Sequence, residues 1–416
     1  MANYYFNADA TGDAGGTGEA NAYDGSTSST LPNGTVAACK LTDVIEHLGN
    51  ANTLWIKQAS AITPFGNASS TNATNTTSGP TRFMDGATGH GYNEIMGYQG
   101  TTGDNLRVDI DMTAVTYRED RKHTRIKNLN FIGSYGGSVV RLGEGVRAEN
   151  CRFENNSTSA GGRAVGLYGG SAVRCECIGN GADASPSDTE SVVYMTSRDD
   201  SFIDSCYIEA RNGQHGIAIQ RHSNSISIMN NIINVNLDTA GGGHDSGNGI
   251  HIVGSTYLTA QTIYSNIIHN ANNGINFVHY GSDNRSSFFI SKNIMSNCVN
   301  GILVADEINY PTSTSTTPAI NFEIFFVDNF YHNCTTSTTN CNSETNITTL
   351  ASDPFVSSST NDFTITSANA SLFGYASQFY QEARGASGDT ITKNALIPIQ
   401  ANVCTDSSVQ TVGFAI

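Results

Sequence analysis

The sequence carries little charge, and most of that charge is negative. Only 14% of its 416 residues are charged, and 37 acidic residues against 21 basic ones give a net charge of −16. Contacts with phosphate groups need Lys and Arg, so this balance argues against a nucleic-acid partner and against an anionic membrane. It also disfavours a polyanionic substrate, unless a local basic patch compensates.

Proline is rare, and long apolar runs and a targeting pattern are missing. Eight prolines leave the hydrogen-bonded ladders of a β-protein largely unbroken. No run of eighteen apolar residues exists, which predicts that the chain does not insert into a membrane. The opening "MANYYFNADATGD" has neither a basic start nor an apolar centre, so we expect no signal peptide.

The nine cysteines are odd in number, and several lie in or beside apolar alternations. We expect buried free thiols at these positions rather than a disulfide framework. Cys334 and Cys341 could bridge a loop, but no feature of the sequence requires that bond.

One pattern recurs about eight times between residues 121 and 350. It is spelled clearly in "YSNIIHNANNGINFVHY" (264–280) and "ISKNIMSNCVNGILV" (290–304). Each unit has an apolar residue, a column position three residues later and a second apolar residue five residues later. In the third unit these are Val173, Glu176 and Ile178. The column positions are Leu129, Cys151, Glu176, Cys206, Asn231, Asn266, Asn293 and Asn329.

The repeat predicts a solenoid of short parallel strands. Apolar residues alternate with a period of two, which is the period of a strand. The shortest interval between units, 22 residues from Ile126 to Ala148, fits one coil of a parallel β-helix. Stacked coils lie about 4.8 Å apart, so matching side chains form columns. We expect the Asn column to be an internal ladder of hydrogen-bonded amides.

These residues resemble the right-handed parallel β-helix superfamily, which pectate lyases, polygalacturonases and bacteriophage tailspikes typify. "DPFVSSSTNDFTITSANASLFGYA" (353–376) resembles the segment that often closes such helices. The resemblance implies an all-β, single-stranded right-handed parallel β-helix. We predict an N-terminal cap with the first coils at 1–120, about eight repeats at 121–350, and closing strands with a C-terminal extension at 351–416. The superfold hosts lyases, hydrolases and non-catalytic spikes alike.

The catalytic motifs of this superfamily are incomplete in the sequence. "RIK" (125–127) and "GQHG" (213–216) resemble polygalacturonase motifs, but their order along the chain is reversed and no paired aspartates lie in register. A pectate lyase needs a carboxylate cluster for calcium and an Arg base, for which Arg221 is a candidate. The sequence therefore predicts no metal and no cofactor, and it leaves open whether the protein is an enzyme.

Two long loops and most of the histidines lie in units four to seven. The loops span 179–190 and 234–248 and project from the same side. His244 and Asp245 are the leading candidates for acid–base chemistry, although a solvated turn whose Asp caps local backbone is the commoner origin of such a pair. The predicted ligand-binding residues are His222, His244, Asp245, His251, His279 and Arg285.

The residue between the second and third columns should point away from the core, and from unit four onward it is large and apolar. A solvent-exposed stripe of this kind indicates an interface. We predict a homotrimer that packs along this stripe, with the alternative that residues 377–416 fold back over it. The stripe consists of Tyr207, Ile232, Ile267, Ile294 and Phe330.

These features together predict a bacteriophage virion surface protein. It would be a tailspike, fibre or capsid-decorating protein, made in the host cytoplasm without a signal peptide. Its partners would be other virion proteins and a host surface polysaccharide. A polysaccharide lyase or glycoside hydrolase is the first alternative, and a purely structural virion decoration is the second.

Overall fold

A computed structural model gives the structure of the chain. It describes residues 3–7, 22–23, 28–30, 36–38, 41, 52–58, 62, 93–113, 116–119, 122–157, 161–180, 190–196, 201–220, 225–236, 247–254, 261–279, 286–304, 322–339, 347–366, 369, 382–384 and 391–393. Within these residues, no helix has the length and apolar character needed to cross a membrane.

The regular structure is almost entirely β. The strands are β1 (Asn3–Phe6), β2 (Ala22–Tyr23), β3 (Ser28–Thr30), β4 (Val36–Ala38), β5 (Thr53–Lys57), β6 (Asn93–Tyr98), β7 (Val108–Asp111), β8 (Tyr117–Glu119), β9 (Thr124–Lys127), β10 (Leu129–Gly133), β11 (Ser138–Gly143), β12 (Val146–Glu149), β13 (Arg152–Asn155), β14 (Arg163–Tyr168), β15 (Ser171–Val173), β16 (Glu176–Gly179), β17 (Ser191–Met195), β18 (Ser201–Asp204), β19 (Tyr207–Ala210), β20 (His215–Gln220), β21 (Ile226–Met229), β22 (Ile232–Val235), β23 (Ile250–Gly254), β24 (Gln261–Tyr264), β25 (Ile267–His269), β26 (Asn273–His279), β27 (Ser286–Ser291), β28 (Ile294–Ser296), β29 (Asn300–Val304), β30 (Phe322–Val327), β31 (Phe330–His332), β32 (Thr336–Thr339), β33 (Thr348–Leu350), β34 (Phe355–Ser357), β35 (Asp362–Ile365), β36 (Glu382–Arg384) and β37 (Ile391–Lys393). A 3₁₀ turn spans Ser358–Thr360.

Three long parallel sheets contain most of these strands. Sheet 1 has the order β2-β1-β5-β6-β9-β12-β15-β18-β21-β24-β27-β30, sheet 2 runs from β7 to β33, and sheet 3 runs from β8 to β32. Every third strand belongs to the same sheet, so three successive strands make one coil. We number the coils from coil 1 (β6, β7, β8) to coil 9 (β30, β31, β32). The architecture is the right-handed parallel β-helix that the repeat predicts, and coils 2 to 9 correspond to its eight units.

The chain divides into two compact units, Met1–Asp353 and Pro354–Ile416. The first contains the β-helix, and its sheet 1 continues beyond coil 1 through β5 and β1. In the second unit β34 and β35 pair antiparallel, and the rings of Phe355 and Phe363 meet edge to face at 5.3 Å.

A continuous core fills the β-helix. In sheet 3 the strand pairings align Val140, Val165, Val193, Ile217, Ile250, Ile275 and Ile302 in one column. All seven side chains are fully buried. Each pairing matches an apolar residue with an apolar residue of the next coil, because the alternation predicted from the sequence sets which face each side chain takes.

The bend between sheets 1 and 2 has the same conformation in coils 2 to 9. The residue before each column position has a positive φ between 50° and 58°. These residues are Asn128, Asn150, Arg174, Ser205, Asn230, Ser265, Lys292 and Asp328. Asn tolerates this left-handed conformation better than most residues do, which explains its frequency just before the column.

The predicted amide ladder is confirmed. Asn231, Asn266, Asn293 and Asn329 are fully buried, one above another. The Nδ2 atoms of the first three donate to the Oδ1 of the next Asn at 3.0, 2.9 and 3.1 Å. Each Nδ2 also donates to a carbonyl one coil earlier, such as that of Ile228 for Asn266 at 2.9 Å. The ladder therefore satisfies buried polar groups along the core.

Cysteines continue this column toward the N-terminus. The backbone N–H of Cys206 donates to Asn231 Oδ1 at 2.9 Å, and that of Cys175 contacts Cys206 Sγ at 3.3 Å. The Sγ atoms of Cys151 and Cys206 lie against the carbonyls of Ile126 and Ala172, the position that an Asn amide takes elsewhere. All described cysteines, Cys334 included, are free.

The third unit, coil 4, is shifted by one residue from the predicted register. Ala172, not Val173, pairs with Ile203, and Cys177, not Ile178, pairs with Ile208. The column position is therefore Cys175 rather than Glu176.

The charge of Glu176 explains why the chain adopts the observed register. Glu176 points outward, where its Oε2 lies 3.4 Å from Arg107 Nη1 and 3.7 Å from Arg152 Nη1. In the predicted register the same carboxylate would enter the core without a partner, which is far more costly than exchanging Val173 for Ala172.

The ladder makes a prediction about stability. Replacing Asn266 by Leu removes the acceptor of two N–H groups of Asn231 and the Nδ2 group that donates to Asn293 Oδ1 and to the Ile228 carbonyl. We expect the free energy of unfolding to fall by at least about 1–3 kcal/mol, measured by urea denaturation. Asn270→Gly is the matched control, because Asn270 has a positive φ of 56° that Gly adopts freely. Equal midpoints for Asn266→Leu and the parent protein would contradict the role of the ladder.

Candidate functional site

The outer face of sheet 3 carries the most varied group of polar and aromatic side chains on the described β-helix. The column between the two inward columns points away from the core. From coil 1 onward it contains Arg118, Arg141, Gly166, Tyr194, Ala218, His251, Asn276 and Leu303. The alternating strand pattern thus places charged, aromatic and amide groups on one face of a rigid sheet.

Arginines and tyrosines alternate in space at coils 2 to 4. The Arg163 guanidinium carbon lies 3.9 Å from the centre of the Tyr194 ring. The Tyr194 and Tyr168 ring centres are 6.0 Å apart, and Arg141 lies 5.6 Å from the Tyr168 centre. Gly166 makes room for this arrangement, because a Cβ there would lie 2.7 Å from Tyr168 Cε2.

Burial changes the chemistry of Arg163. Loss of solvent lowers the pKa of its guanidinium, while the nearby Tyr194, Tyr168 and Glu190 raise it and Arg141 lowers it further. The hydroxyl of Tyr194 donates to Gln220 Oε1 at 2.8 Å, which fixes the ring that Arg163 covers.

Two histidines stack in the next coils of the same face. The rings of His215 (coil 5) and His251 (coil 6) have centres 4.3 Å apart and planes inclined by 21°. Both side chains are buried. Two imidazolium rings at this distance would repel each other without water to screen them. The stack therefore excludes protonation of both rings at once.

A second amide ladder orients these rings. Asn300 Nδ2 donates to Asn273 Oδ1 at 2.8 Å, and Asn273 Nδ2 donates to Asn248 Oδ1 at 2.7 Å. With its oxygen occupied, Asn248 directs its Nδ2 toward His251 Nδ1 at 3.2 Å. This ladder was not predicted from the sequence, although the "NGI" spelling that carries it occurs in both repeats at 264–280 and 290–304.

The hydrogen bonds also define the tautomer of His215. The backbone N–H of Asn248 donates to His215 Nδ1 at 3.1 Å, so this nitrogen carries no proton and the neutral ring is protonated at Nε2. Burial, with the His251 ring beside it, lowers the pKa of His215 well below its usual value.

His215 takes the place that Asn has in later coils. "HGI" (215–217) is in register with "NGI" at 248–250, 273–275 and 300–302. The glycine is required in this frame, since a Cβ on Gly216 would lie 2.4 Å from Ile233 Cγ2 and 2.6 Å from the Gly249 carbonyl oxygen. Coil 5 therefore differs from coils 6 to 8 by His in place of Asn in an otherwise unchanged motif, and this difference can be seen in the sequence.

The structure describes only two of the six predicted ligand residues, and the role of all six as ligands stays a prediction. His251 lies on the outer face of sheet 3, buried and stacked on His215. His279 ends β26, where its backbone pairs with Gly254 in the same sheet. The other four predicted residues lie outside the described residues, namely His222, His244, Asp245 and Arg285. Their role as ligands stays a prediction.

The predicted interface stripe forms one column on sheet 2. The pairings run from Tyr207 to Ile232, Ile267, Ile294 and Phe330. The exposed fractions of the last four are 4%, 0%, 2% and 6% within the single chain. Burial of these side chains thus does not depend on a second subunit, and the homotrimer stays a prediction. The alternative, with residues 377–416 over the stripe, falls mostly on residues outside the described set.

No metal centre is visible in the part of the chain that the structure describes. Groups of three or more His, Cys, Asp or Glu side chains placed to hold one ion do not occur among those residues. Among the described residues, the groups that could act chemically on this face are the Arg163–Tyr194 pair and the two stacked histidines.

The stacked histidines predict acid-sensitive stability. Because the pKa of His215 is lowered in the folded state, the unfolded chain takes up a proton below about pH 6.5 that the folded chain excludes. The stabilisation is present above that pH and is lost as the pH falls. The pKa of His269, lowered by burial to about 4, adds a second contribution of the same sign.

His215→Asn separates the two contributions, since Asn already occupies this frame in coils 6 to 8. We expect the parent protein to lose up to about 2 kcal/mol more than this variant between pH 6.5 and 5, measured by urea denaturation at each pH. His269→Asn, with the His stack intact, is the control. Identical pH dependence in the parent protein and His215→Asn would refute the contribution of the stack.

Comparisons with known proteins identify the fold and leave the activity open. No protein-family model matches the sequence, and no curated protein matches it. A solved structure of pectate lyase Pel9A superposes with a TM-score of 0.51 at 11% identity, over 88% of this chain and 87% of that chain. A rhamnogalacturonan lyase superposes with a TM-score of 0.49 at 12% identity, over 91% and 100%.

A protein of Geobacillus virus E2 gives a TM-score of 0.37 at 12% identity, over 64% of this chain and 54% of that chain. Sequence identities this low show only that the folds are similar. Of these three structures, pectate lyase Pel9A alone superposes with a TM-score above 0.5. Together with three parallel sheets that coil around one core, it shows that the chain has the right-handed parallel β-helix fold.

Proposed function

We propose that the protein binds a host-cell polysaccharide along the outer face of sheet 3, at the surface of a bacteriophage virion. The observation that carries the proposal is the row of aromatic, guanidinium, amide and imidazole groups on consecutive strands. Such a mixture suits sugars, whose rings have apolar faces and hydroxyl edges.

The dimensions of the row favour an extended ligand. Arg141 on β11 and Tyr194 on β17 are separated by two strand spacings, which is about 10 Å at about 4.8 Å each. Hydrogen bonds between strands hold these positions, so the groups are presented on a rigid element rather than on loops. Rigid presentation lowers the entropy that is lost when a flexible chain binds.

The proposal that the protein belongs to a virion rests on its continuous core and its free cysteines. Its core is continuous over nine coils, and the described cysteines are free and mostly buried. Free buried thiols suit folding in a reducing compartment such as a bacterial cytoplasm. A phage structural protein is made there and later acts on the outside of a new host. Mass spectrometry of purified phage particles tests this part, and absence of the chain from the particles would refute it.

Removal of a half-buried ring tests the binding face. We expect Tyr168→Ala to weaken binding of the host polysaccharide about tenfold, through the loss of about 1.4 kcal/mol of ring contact. Isothermal titration calorimetry or affinity electrophoresis measures the change.

Phe289→Ala is the matched control, because this ring is 43% exposed on the outer face of sheet 1. The proposal fails if Tyr168→Ala binds as well as the parent protein, or if Phe289→Ala loses binding instead.

A polysaccharide depolymerase is the second candidate function, and Arg163 favours it. Burial lowers the pKa of its guanidinium, whose carbon lies 3.9 Å from the centre of the Tyr194 ring, and a perturbed pKa on a binding face marks a candidate base. Incubation with candidate polysaccharides should then produce new unsaturated or reducing ends. We expect Arg163→Lys to abolish their appearance, and a product yield unchanged in this variant would exclude Arg163 as the base.

A further inference from the structure

Two cysteines lie one above the other at the bend between sheets 2 and 3. Strands β28 and β31 pair in register before the bend, and β29 and β32 pair in register after it. Both pairings place Cys298 of coil 8 beside Cys334 of coil 9. The backbone N–H of Thr335 donates to the Cys298 carbonyl at 3.3 Å, which continues the alignment through the bend. Parallel neighbours in register have Cα atoms about 4.8 Å apart, within the range of roughly 4.4–6.8 Å that a disulfide spans.

The two side chains take the same direction. Cys298 Sγ lies 3.5 Å from the carbonyl oxygen of Ser296, two residues earlier. Cys334 Sγ lies 3.6 Å from the carbonyl oxygen of His332, again two residues earlier. The thiols are therefore stacked in one column, as the amides of the Asn ladder are.

Packing does not require a thiol at this position. In coil 7 the equivalent residue is Ala271, whose carbonyl accepts from the backbone N–H of Val299 at 3.1 Å, as that of Cys298 accepts from Thr335. Ala271 is fully buried. A methyl group thus fills the position in one coil, and the pair of sulfur atoms in the next two coils needs another explanation.

The two thiols differ in access and in reactivity. Cys298 is buried, whereas Cys334 is half-buried between the exposed Asn333 and Thr335. A hydrogen bond between the two thiols lowers the pKa of Cys334 and raises that of Cys298. The thiolate is the reactive form of cysteine, so Cys334 is the group that meets an oxidant first.

We propose that Cys298 and Cys334 form a disulfide that fastens coil 9 to coil 8 once the folded protein leaves a reducing cytoplasm. The oxidant is a small disulfide such as oxidised glutathione. The inference goes beyond the proposed function, since it uses no residue of the polysaccharide-binding face.

The exchange proceeds in two steps. The Cys334 thiolate attacks one sulfur of oxidised glutathione, which forms a mixed disulfide and releases one glutathione thiolate. Cys298 then gives up its proton to a released thiolate and attacks the Cys334 sulfur, which forms the protein disulfide and releases the second glutathione. Two protein thiols are oxidised, and one glutathione disulfide is reduced to two thiols.

The position of the bond in the fold gives it a consequence. Coil 9 contains β30 and β32, the last described strands of sheets 1 and 3. Because a strand at the end of a sheet has a hydrogen-bonded neighbour on one side only, such a coil opens more readily than one in the middle. A covalent bond to coil 8 restrains that opening.

Oxidation of the full-length chain tests the inference. The protein is reduced, freed of reductant and incubated in native buffer with oxidised glutathione. The remaining thiols are then blocked with N-ethylmaleimide in denaturant, and the peptides are identified by mass spectrometry. We expect a cross-linked pair of peptides that joins Cys298 to Cys334. The stacked but fully enclosed Cys151, Cys175 and Cys206 are the internal control and should be blocked as free thiols.

Three variants identify the role of each thiol. Cys298→Ala leaves the packing intact, since Ala271 fills the same position one coil earlier, and Cys334 of this variant should retain glutathione as a mixed disulfide. Cys334→Ala should take up no glutathione at the buried Cys298. Cys341→Ser tests the other partner considered for Cys334, a residue outside the described set, and should keep the bond.

Limited proteolysis measures the effect on the fold. We expect oxidation to slow cleavage within coil 9 at least about tenfold in the parent protein and to leave Cys298→Ala unchanged. Four outcomes would overturn the inference, namely free thiols at both positions after incubation, a bond from Cys334 to Cys341, equal oxidation of the internal control, or a bond without effect on cleavage. Polysaccharide binding is measured separately, so the proposed function stands or falls independently of these results.

Discussion

The spacing between stacked strands is the constraint on which the rest of this protein depends. Parallel strands that lie about 4.8 Å apart bring each side chain directly over its counterpart in the next coil. A polar side chain in the interior must then find its partner in an identical position one coil away. Asn satisfies this condition because its amide both donates and accepts, and the ladder from Asn231 to Asn329 shows the result.

The same constraint made most of the fold predictable from the sequence. A two-residue alternation, a column position at a fixed offset and a minimum period of one coil suffice to define strands, faces and stacking. The prediction was wrong in coil 4, where Val173 and Ile178 fit the apolar pattern as well as Ala172 and Cys177 do. Only the charge on Glu176, and its arginine partners on neighbouring coils, distinguish the two registers.

The candidate site was harder to predict because its members are distant in sequence. Arg141 and His251 are 110 positions apart, and each is unremarkable within its own strand. Most ligand residues were predicted in loops that contain histidine, whereas the described cluster of arginine, tyrosine and histidine side chains lies on sheet 3 itself. His251 belongs to both sets of residues, and its role as a ligand stays a prediction. The substitution of His215 for Asn in the "NGI" frame is the signal that comparison of the repeats could have used.

The two amide ladders run in opposite directions, and this has an electrostatic consequence. In the column of Asn231 each amide donates toward the C-terminal coils, whereas Asn300 and Asn273 donate toward the N-terminal coils. Aligned amides add their dipoles, as the peptide groups of a helix do. The positive end of the second row therefore points at the histidine pair and, beyond it, at the tyrosines and arginines of the same face. The dipoles of this row therefore act in the same direction as the burial that lowers the pKa of His215.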